Sequence, residues 1–278
     1  VASIPGVDMV VGTARKLDVL DYVEDGKRPT PRIVHEAVPD GDFAIRTGAG
    51  RSAFATRANL KIQEGCDFHC SYCIVPAARG PARSRRLDDL VAQAEQLVAQ
   101  GTREIVLTGV NMGRYTYEGT TFTGLVESIL ELPGDFRLRL SSLEPEITGD
   151  GLIDLIGHDK FCPHLHLCLQ SGSERVLLAM RRQYTAAEYR ALVDSIRDRY
   201  PDFNLTTDIL VGFPGETEED FEQTCRTARE IGFTHIHTFP YSIRTGTRAA
   251  RMGNQISETE KSRRGRIIRA ISDQNKYA

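Results

Sequence analysis

From Ala58 to Asn275 the chain alternates between strand-like and helix-like patterns, and that alternation restricts the fold more than any other feature of the sequence. The apolar spacing predicts strands over Asn59 to Gln63, Glu104 to Thr108, Arg137 to Ser141, His164 to Leu169, Asn204 to Val211 and Phe233 to Phe239. Between them it predicts helices over Leu87 to Gln100, Phe122 to Leu132, Gly149 to Ile156, Thr185 to Tyr200, Thr217 to Ile231 and Ser257 to Asn275. In the first helix Leu87, Leu90, Val91, Ala94, Leu97 and Val98 fall on one face. Two helices open with cap signatures, Thr185 with Glu188 and Thr217 with Asp220. Strand–helix repetition of this kind implies a parallel sheet with right-handed crossovers. Six units are too few for a closed eight-strand barrel. The expected fold class is therefore α/β, a partial open (β/α)6 TIM-like barrel, with an open doubly wound sheet as the alternative. Either places the ligand site at the carboxyl ends of the strands.

Residues 1 to about 50 break the pattern. Val7 to Gly12 reads as a short buried strand and Leu17 to Val23 as a helix. A charged, proline-containing stretch runs from Asp25 to Pro31, and Asp40-Gly41-Asp42 is turn-like. One strand and one helix cannot close a core, so this segment reads as the tail of a preceding domain plus a linker. The chain does not begin with Met, which suggests a fragment of something longer. No apolar run approaches the length of a membrane span, and no signal peptide is visible. The expected setting is cytoplasmic, with no membrane partner. Net charge is −3, so a nucleic-acid partner gains nothing from bulk charge. The six cysteines read as thiols or metal ligands rather than a disulfide framework.

Three of those cysteines sit together just after the first strand. Cys66, Cys70 and Cys73 have C-x3-C-x2-C spacing, in Gly65-Cys66-Asp67-Phe68-His69-Cys70-Ser71-Tyr72-Cys73. Such a loop can give thiolates to three irons of a cubane, leaving the fourth without a protein ligand. An open coordination position is what a catalytic metal site needs. A sulfonium substrate can chelate there, and one electron can break its C–S bond to leave a carbon radical. A zinc site wants four ligands, and neither a second C-x2-C nor a well-spaced histidine is at hand, since His69 lies inside the loop. A redox dithiol leaves the third cysteine unexplained. Chance clustering of buried thiols is the blandest alternative.

The loop and its continuation, Ile74-Val75-Pro76-Ala77-Ala78-Arg79-Gly80-Pro81-Ala82-Arg83-Ser84-Arg85, resemble the radical S-adenosylmethionine methylthiotransferases. The resemblance extends to Leu107-Thr108-Gly109-Val110-Asn111, Ser141-Ser142-Leu143-Glu144-Pro145 and His164 to Ser173. It extends also to Met180 to Thr185 and Asp208 to Thr217. It implies a transferase carrying a [4Fe–4S] cluster on Cys66, Cys70 and Cys73 and using S-adenosylmethionine. It implies that Tyr72 lies near the adenine and that Gly109, Val110 and Asn111 approach the methionine amine. Glu144, Gln170 and Ser171 would face the ribose and methionine parts, and Gly212 would let the backbone approach the adenine. A second cluster belongs to an N-terminal region whose cysteines do not precede Cys66 here. Residues 1–50 would then be the end of that domain plus linker, and 51–278 the radical core. A C-terminal RNA-binding domain would follow Tyr277. Implied partners are a tRNA and an electron donor of flavodoxin or ferredoxin type.

Among three branches, Leu107 to Tyr115 is most similar to the one acting on threonylcarbamoyl-modified adenosine beside the tRNA anticodon; Gln63 to Cys66 and Met180 to Thr185 agree. The others act on isopentenyl adenosine or on a ribosomal-protein aspartate. A different radical S-adenosylmethionine enzyme, and a non-enzymatic zinc or RNA-binding module, are the rival classes.

Other features weigh less. Arg79, Arg83, Arg85 and Arg86, with Arg181 and Arg182, either meet phosphates or a carboxylate or form surface and internal ion pairs. His164, His166 and Cys168 share one strand face, but no further ligand is evident near them or near Cys162, so lining or core roles are favoured over a metal. Cys225 reads as a buried small hydrophobe, His235 and His237 as packing residues with a pocket role as the alternative, and Lys261 to Arg269 as a solvated basic helix face with RNA contact as the minority reading.

Overall fold

The structure is a computed structural model that describes residues 1–23, 29–38, 41, 43, 56–147 and 150–276. The turn expected at Asp40 and Asp42, most of the charged stretch beginning at Asp25, the boundary expected near residue 50 and Tyr277 lie outside the described residues.

Six parallel strands form the barrel wall: β1 (Arg57–Lys61), β2 (Glu104–Thr108), β3 (Arg137–Leu140), β4 (His164–Leu167), β5 (Asn204–Val211) and β6 (His235–Pro240). Their spatial order follows the sequence. β1 pairs with β2 and β2 with β3, while β4 pairs with β5 and β5 with β6. A bridge from Leu138 to Phe161 and the short strand Ser142–Leu143, paired to β4, join the two halves. Among the described residues β1 and β6 are not paired to each other, so the wall is open.

Register explains the two faces. Leu60, Leu107 and Leu140 lie side by side across β1 to β3, and Leu165 opposes Leu205. These side chains are fully or almost fully buried against the helical layer. The alternate positions, among them Lys61, Arg139, His164, His166, Thr206 and Asp208, line the inner face and are polar. A period of two has placed most apolar residues under the helices and most polar ones in the lumen, with Val106 sharing the inner face beside Arg139.

The helices are α1 (Val75–Arg79), α2 (Leu87–Ala99), α3 (Phe122–Leu130), α4 (Asp150–Ile156), α5 (Glu174–Met180), α6 (Ala186–Arg199), α7 (Glu218–Ile231) and α8 (Glu258–Lys276). α2 buries Leu90 and Ala94 and packs Leu87, Val91, Leu97 and Val98 on the core, as its periodicity requires. Thr185–Glu188 and Thr217–Asp220 both form reciprocal capping boxes. The second does more: Ser173, the N-cap of α5, donates to Asp220 Oδ1 at 2.7 Å, so one carboxylate fixes two helix starts at adjacent strand ends. No described helix is long and apolar enough to cross a membrane.

Before the barrel, Met9–Val11 pairs in parallel with Arg32–Val34, with a 3-10 helix over Thr13–Tyr22 between them. Val10 and Val11, on this two-stranded ladder, are half-buried rather than buried.

The basic run on α8 differs in part from expectation. Lys261 and Arg264 are buried. Arg264 binds Glu216 Oε2 at 2.7 Å and Glu260 Oε1 at 2.8 Å, and Lys261 stands over the Tyr241 ring and pairs with Glu258. These two charges dock α8 against the turn after β5, while Arg266 and Arg269 are exposed as expected. For His235 and His237 the pocket alternative fits better than packing: both are exposed, their rings 4.5 Å apart, on a cavity shared with Arg269 and Asp273. Cys225 is buried, as expected.

Candidate iron–sulfur site

The cysteine loop leaves the carboxyl end of β1 through a turn that only glycine fits. Gly65 has φ +74°, and a Cβ there would stand 1.8 Å from the Pro81 carbonyl oxygen. Two buried side chains just before it fix the loop. Gln63 donates from Nε2 to the carbonyls of Glu64 and Gly65, and its Oε1 accepts the backbone N–H groups of Val110 at 3.0 Å and Asn111 at 2.8 Å. One amide therefore ties the cysteine loop to the loop after β2. Gly109 must be small for this, since a Cβ would reach 2.8 Å from Met112 and 3.1 Å from Gln63.

Glu64, fully buried, receives Lys16, Lys61 and Arg79. Burial by itself pushes its carboxyl up, but the hydrogen bonds from the three cations override this and hold the pKa at about 2. Lys16 comes from the N-terminal segment and Arg79 from α1, so one carboxylate clamps three pieces of chain. The depressed pKa means the carboxylate's contribution is whole above about pH 5 and fades as pH falls toward about 2. A drop from 4.5 to about 2 corresponds to about 3 kcal/mol. Glu64→Gln should lose most of that at pH 7 and little near pH 2, measured by denaturant unfolding at the two pH values; an equal loss at both would refute the charge clamp.

The three cysteines are half-buried, and each sulfur has an N–H directed at it. The Phe68 N–H lies 3.4 Å from Cys66 Sγ, the Val75 N–H 3.5 Å from Cys73 Sγ and Arg182 Nη1 3.3 Å from Cys70 Sγ. Asn111 Nδ2 adds a longer contact to Cys66 at 3.8 Å, while its buried Oδ1 has no partner. Ser71 anchors the loop, its N–H and hydroxyl donating to the carbonyls of Met180 and Ala179 and its carbonyl accepting the Ala249 N–H. Cys70 and Cys73 border a cavity of about 440 Å³ with His69, Arg181 and Arg248. Burial pushes the Cys70 thiol up, with Arg182 opposing and Cys73 and Cys66 adding to the rise. The one group of three or more described Cys, His, Asp or Glu residues whose ligand atoms all lie within 4.8 Å of one another is elsewhere, so the loop sulfurs stand wider than a single tetrahedral ion holds its ligands. Three N–H-supported sulfurs spread over one loop fit the corners of a [4Fe–4S] cubane.

Arg182 is the hub behind the loop. It is buried, pairs with Glu144, lies 3.3 Å from the Tyr72 hydroxyl and stacks 5.1 Å from the Tyr184 ring centroid. Tyr184 in turn donates to the carbonyls of Cys168 and Leu169. Thus Tyr72 and Glu144 are brought to Cys70, and Gly109, Val110 and Asn111 to Cys66. Gln170 follows β4 with φ +62°, its N–H on the Asp208 carbonyl and its own carbonyl accepting the Leu210 N–H. Ser171 is not brought to the loop: its hydroxyl is sealed against Thr224 at 3.2 Å and accepts the Ser173 N–H. Nor does Gly212 face open space, for Lys261 covers it at 2.3 Å from a would-be Cβ.

The arginines resolve toward internal pairing. Arg79 goes to Glu64, Arg85 to Gln93 and the Lys61 carbonyl, Arg86 to Asp88 and Arg182 to Glu144. Arg83 is buried, with its guanidinium near the Phe43 ring. Arg181 remains exposed at the cavity. Sequence reasoning missed Gln63 and Glu64 as loop anchors and Arg182 as the partner of Glu144.

Comparison with known proteins agrees with this geometry. The threonylcarbamoyladenosine tRNA methylthiotransferase MtaB of Bacillus subtilis is 39% identical over 99% of this chain and 62% of its own length. The tRNA-2-methylthio-N(6)-dimethylallyladenosine synthase of Cereibacter sphaeroides is 39% identical over 99% of this chain and 63% of its own. The chain thus spans about three fifths of the length of these curated relatives. Among solved structures, the coproporphyrinogen III oxidase of Escherichia coli matches with a TM-score of 0.59 at 16% identity, over 79% of this chain and 52% of that one. The methyltransferase TsrM of Kitasatospora setae matches at 0.58 and 19%, over 69% and 38%. The family described as the Radical SAM superfamily matches residues 60–228, from β1 into α7. With the barrel, the loop and more than half of its residues matched, the chain belongs to the radical SAM superfamily, whose cofactors are a [4Fe–4S] cluster and S-adenosylmethionine.

Proposed function

We propose that this chain is the radical core of a tRNA methylthiotransferase whose acceptor is threonylcarbamoyl-modified adenosine beside the anticodon. The observation that carries it is the identity of 39% with the Bacillus subtilis enzyme of that name along 99% of this chain, cysteine loop included. Cys66, Cys70 and Cys73 would hold the cluster, with the Phe68 and Val75 amides and Arg182 donating to their sulfurs. When bound, the cluster supplies the electron that cleaves the sulfonium C–S bond of S-adenosylmethionine.

The chain's own residues position and seal. Gln63 sets the distance between the cysteine loop and Gly109-Val110-Asn111, which approach the methionine amine. Arg182 holds Glu144 and Tyr72 at the cosubstrate, and Gln170 presents the end of β4 in a left-handed turn. Ser171 and Gly212 support the pocket from behind, through Thr224 and Lys261. The acceptor tRNA and a reducing partner of flavodoxin or ferredoxin type complete the reaction.

A second acceptor, the dimethylallyl-modified adenosine, is favoured by the equal identity of the Cereibacter sphaeroides relative. Nucleoside analysis decides. A full-length methylthiotransferase containing this chain, expressed in bacteria that make both modified adenosines but methylthiolate neither, should yield the methylthiolated threonylcarbamoyl nucleoside. Methylthiolated dimethylallyl nucleoside instead would move the acceptor to the second branch, and no methylthiolated nucleoside would overturn the tRNA reading.

A further inference from the structure

β4 and β5 bring a second set of ligand-type side chains together inside the barrel, apart from the cysteine loop. His166 and Cys168 leave β4 on one face, and Asp208 leaves β5 beside them. One ligand atom from each lies within 4.8 Å of the other two. His166 Nε2 is 3.2 Å from Asp208 Oδ1, and Cys168 Sγ is 3.9 Å from Asp208 Oδ2. Sequence alone showed two members of this set. The third lies forty residues further on and reaches them through the β4–β5 ladder, in which His166 opposes Thr206.

A separate observation points to a ligand. His166 is only 7% exposed, and its Nε2 makes no aligned hydrogen bond although the Asp208 carboxylate is close. The other ring nitrogen, Nδ1, is fixed 2.9 Å from Thr206 Oγ1. Thr206 Oγ1 also lies 3.0 Å from His164 Nε2; with the single hydroxyl proton given to His164, His166 donates from Nδ1 and turns the lone pair of Nε2 toward Asp208. Such a lone pair facing a carboxylate repels it unless a cation lies between them. Tetrahedral ligands about 2.0–2.3 Å from zinc are separated by about 3.3–3.8 Å; here His166 and Cys168 reach different oxygens of Asp208, and the three ligand atoms, all within 4.8 Å of one another, draw in slightly to close on one ion. Cys168 and His166 are both buried, so water does not serve these groups freely.

We propose that His166, Cys168 and Asp208 form a divalent-cation site of the zinc type, with three protein ligands and a fourth position toward His237. The His237 ring centroid lies 5.3 Å from that of His166. Binding exchanges the Cys168 S–H bond for a metal–thiolate bond, and the proton leaves to solvent. The ion ties β4 to β5 beneath the segment that carries Gln170. None of these ligands belongs to the cysteine loop, so each site can be tested with the other's ligands removed.

The test uses zinc alone, then cobalt(II) alone, on the full chain carrying Cys66→Ala, Cys70→Ala and Cys73→Ala, so that loop thiols cannot contribute. About one zinc per chain should survive desalting. Cobalt should give tetrahedral ligand-field bands with a thiolate charge-transfer band. Cys168→Ser and Asp208→Asn, each added to that background, should weaken zinc binding at least about tenfold, while Cys225→Ser should not. Circular dichroism reports whether each variant is folded. The cobalt spectrum needs no change at the site, so it decides even if a site variant unfolds. No zinc retained at micromolar free metal, a cobalt spectrum without the thiolate band, or zinc binding that Cys168→Ser and Asp208→Asn leave unchanged would each overturn the site.

Discussion

Cys70→Ala is expected to abolish reductive cleavage of S-adenosylmethionine and to lower the iron retained after anaerobic reconstitution well below about four per chain. Cys66→Ala and Cys73→Ala should do the same, and the triple variant should lose the broad visible absorption altogether. The three sulfurs are not interchangeable with nearby groups. Each is met by its own N–H donor, from Phe68, Val75 or Arg182, and the loop is fastened on both sides by Gln63 and Ser71. Cys168→Ser and Cys225→Ser should leave the iron count unchanged, because neither sulfur belongs to the loop. Iron analysis and formation of 5′-deoxyadenosine give the readouts. Full iron content in any single loop variant would remove that residue from the ligand set.

Arg182→Met should produce the largest loss of stability. The guanidinium side chain is 3% exposed and its partner Glu144 19%. Removing the cation leaves a carboxylate in a poorly solvated place beside Cys70 and Tyr72 with no counter-charge. Breaking a buried pair from one side costs about 3–5 kcal/mol, a fall in melting temperature of about 10 °C for a domain of this size. Arg182→Met with Glu144→Gln should recover much of it, since no unpaired charge remains. A loss below about 1 kcal/mol in the single variant would place the pair with exposed surface bridges. In reconstituted protein the same change should also make the cluster harder to reduce, because a cation near its ligand sulfur is gone.

The architecture was readable because two periodicities alternate with few interruptions. Strand β5 is found at the expected residues, and both capping boxes form, since a Thr followed three residues later by an acidic side chain is a local rule that needs no tertiary partner. Short elements were not readable. α1 has five residues and α5 seven, too few to show a helical period, and the pairing of Gln63–Glu64 with Arg83–Ser84 depends on the cysteine loop folding back. The cysteines were legible as a ligand set because their spacing is the signal. Their supports were not: Arg182 meets Glu144 across 38 residues, and Gln63 meets Asn111 across 48. A buried arginine and a solvated one look alike in a sequence, which is why Lys261 and Arg264 read as surface charges although Tyr241 and Glu216 lie opposite them. Asp208 joined His166 and Cys168 for the same reason, through register.

The most direct test is electron paramagnetic resonance of the anaerobically reconstituted, dithionite-reduced chain, recorded with and without S-adenosylmethionine. A reduced [4Fe–4S] signal with about four irons per chain, changed in shape by the cosubstrate, is the predicted result. A loop that retains one zinc ion and no iron, or a cluster signal indifferent to S-adenosylmethionine, would contradict it.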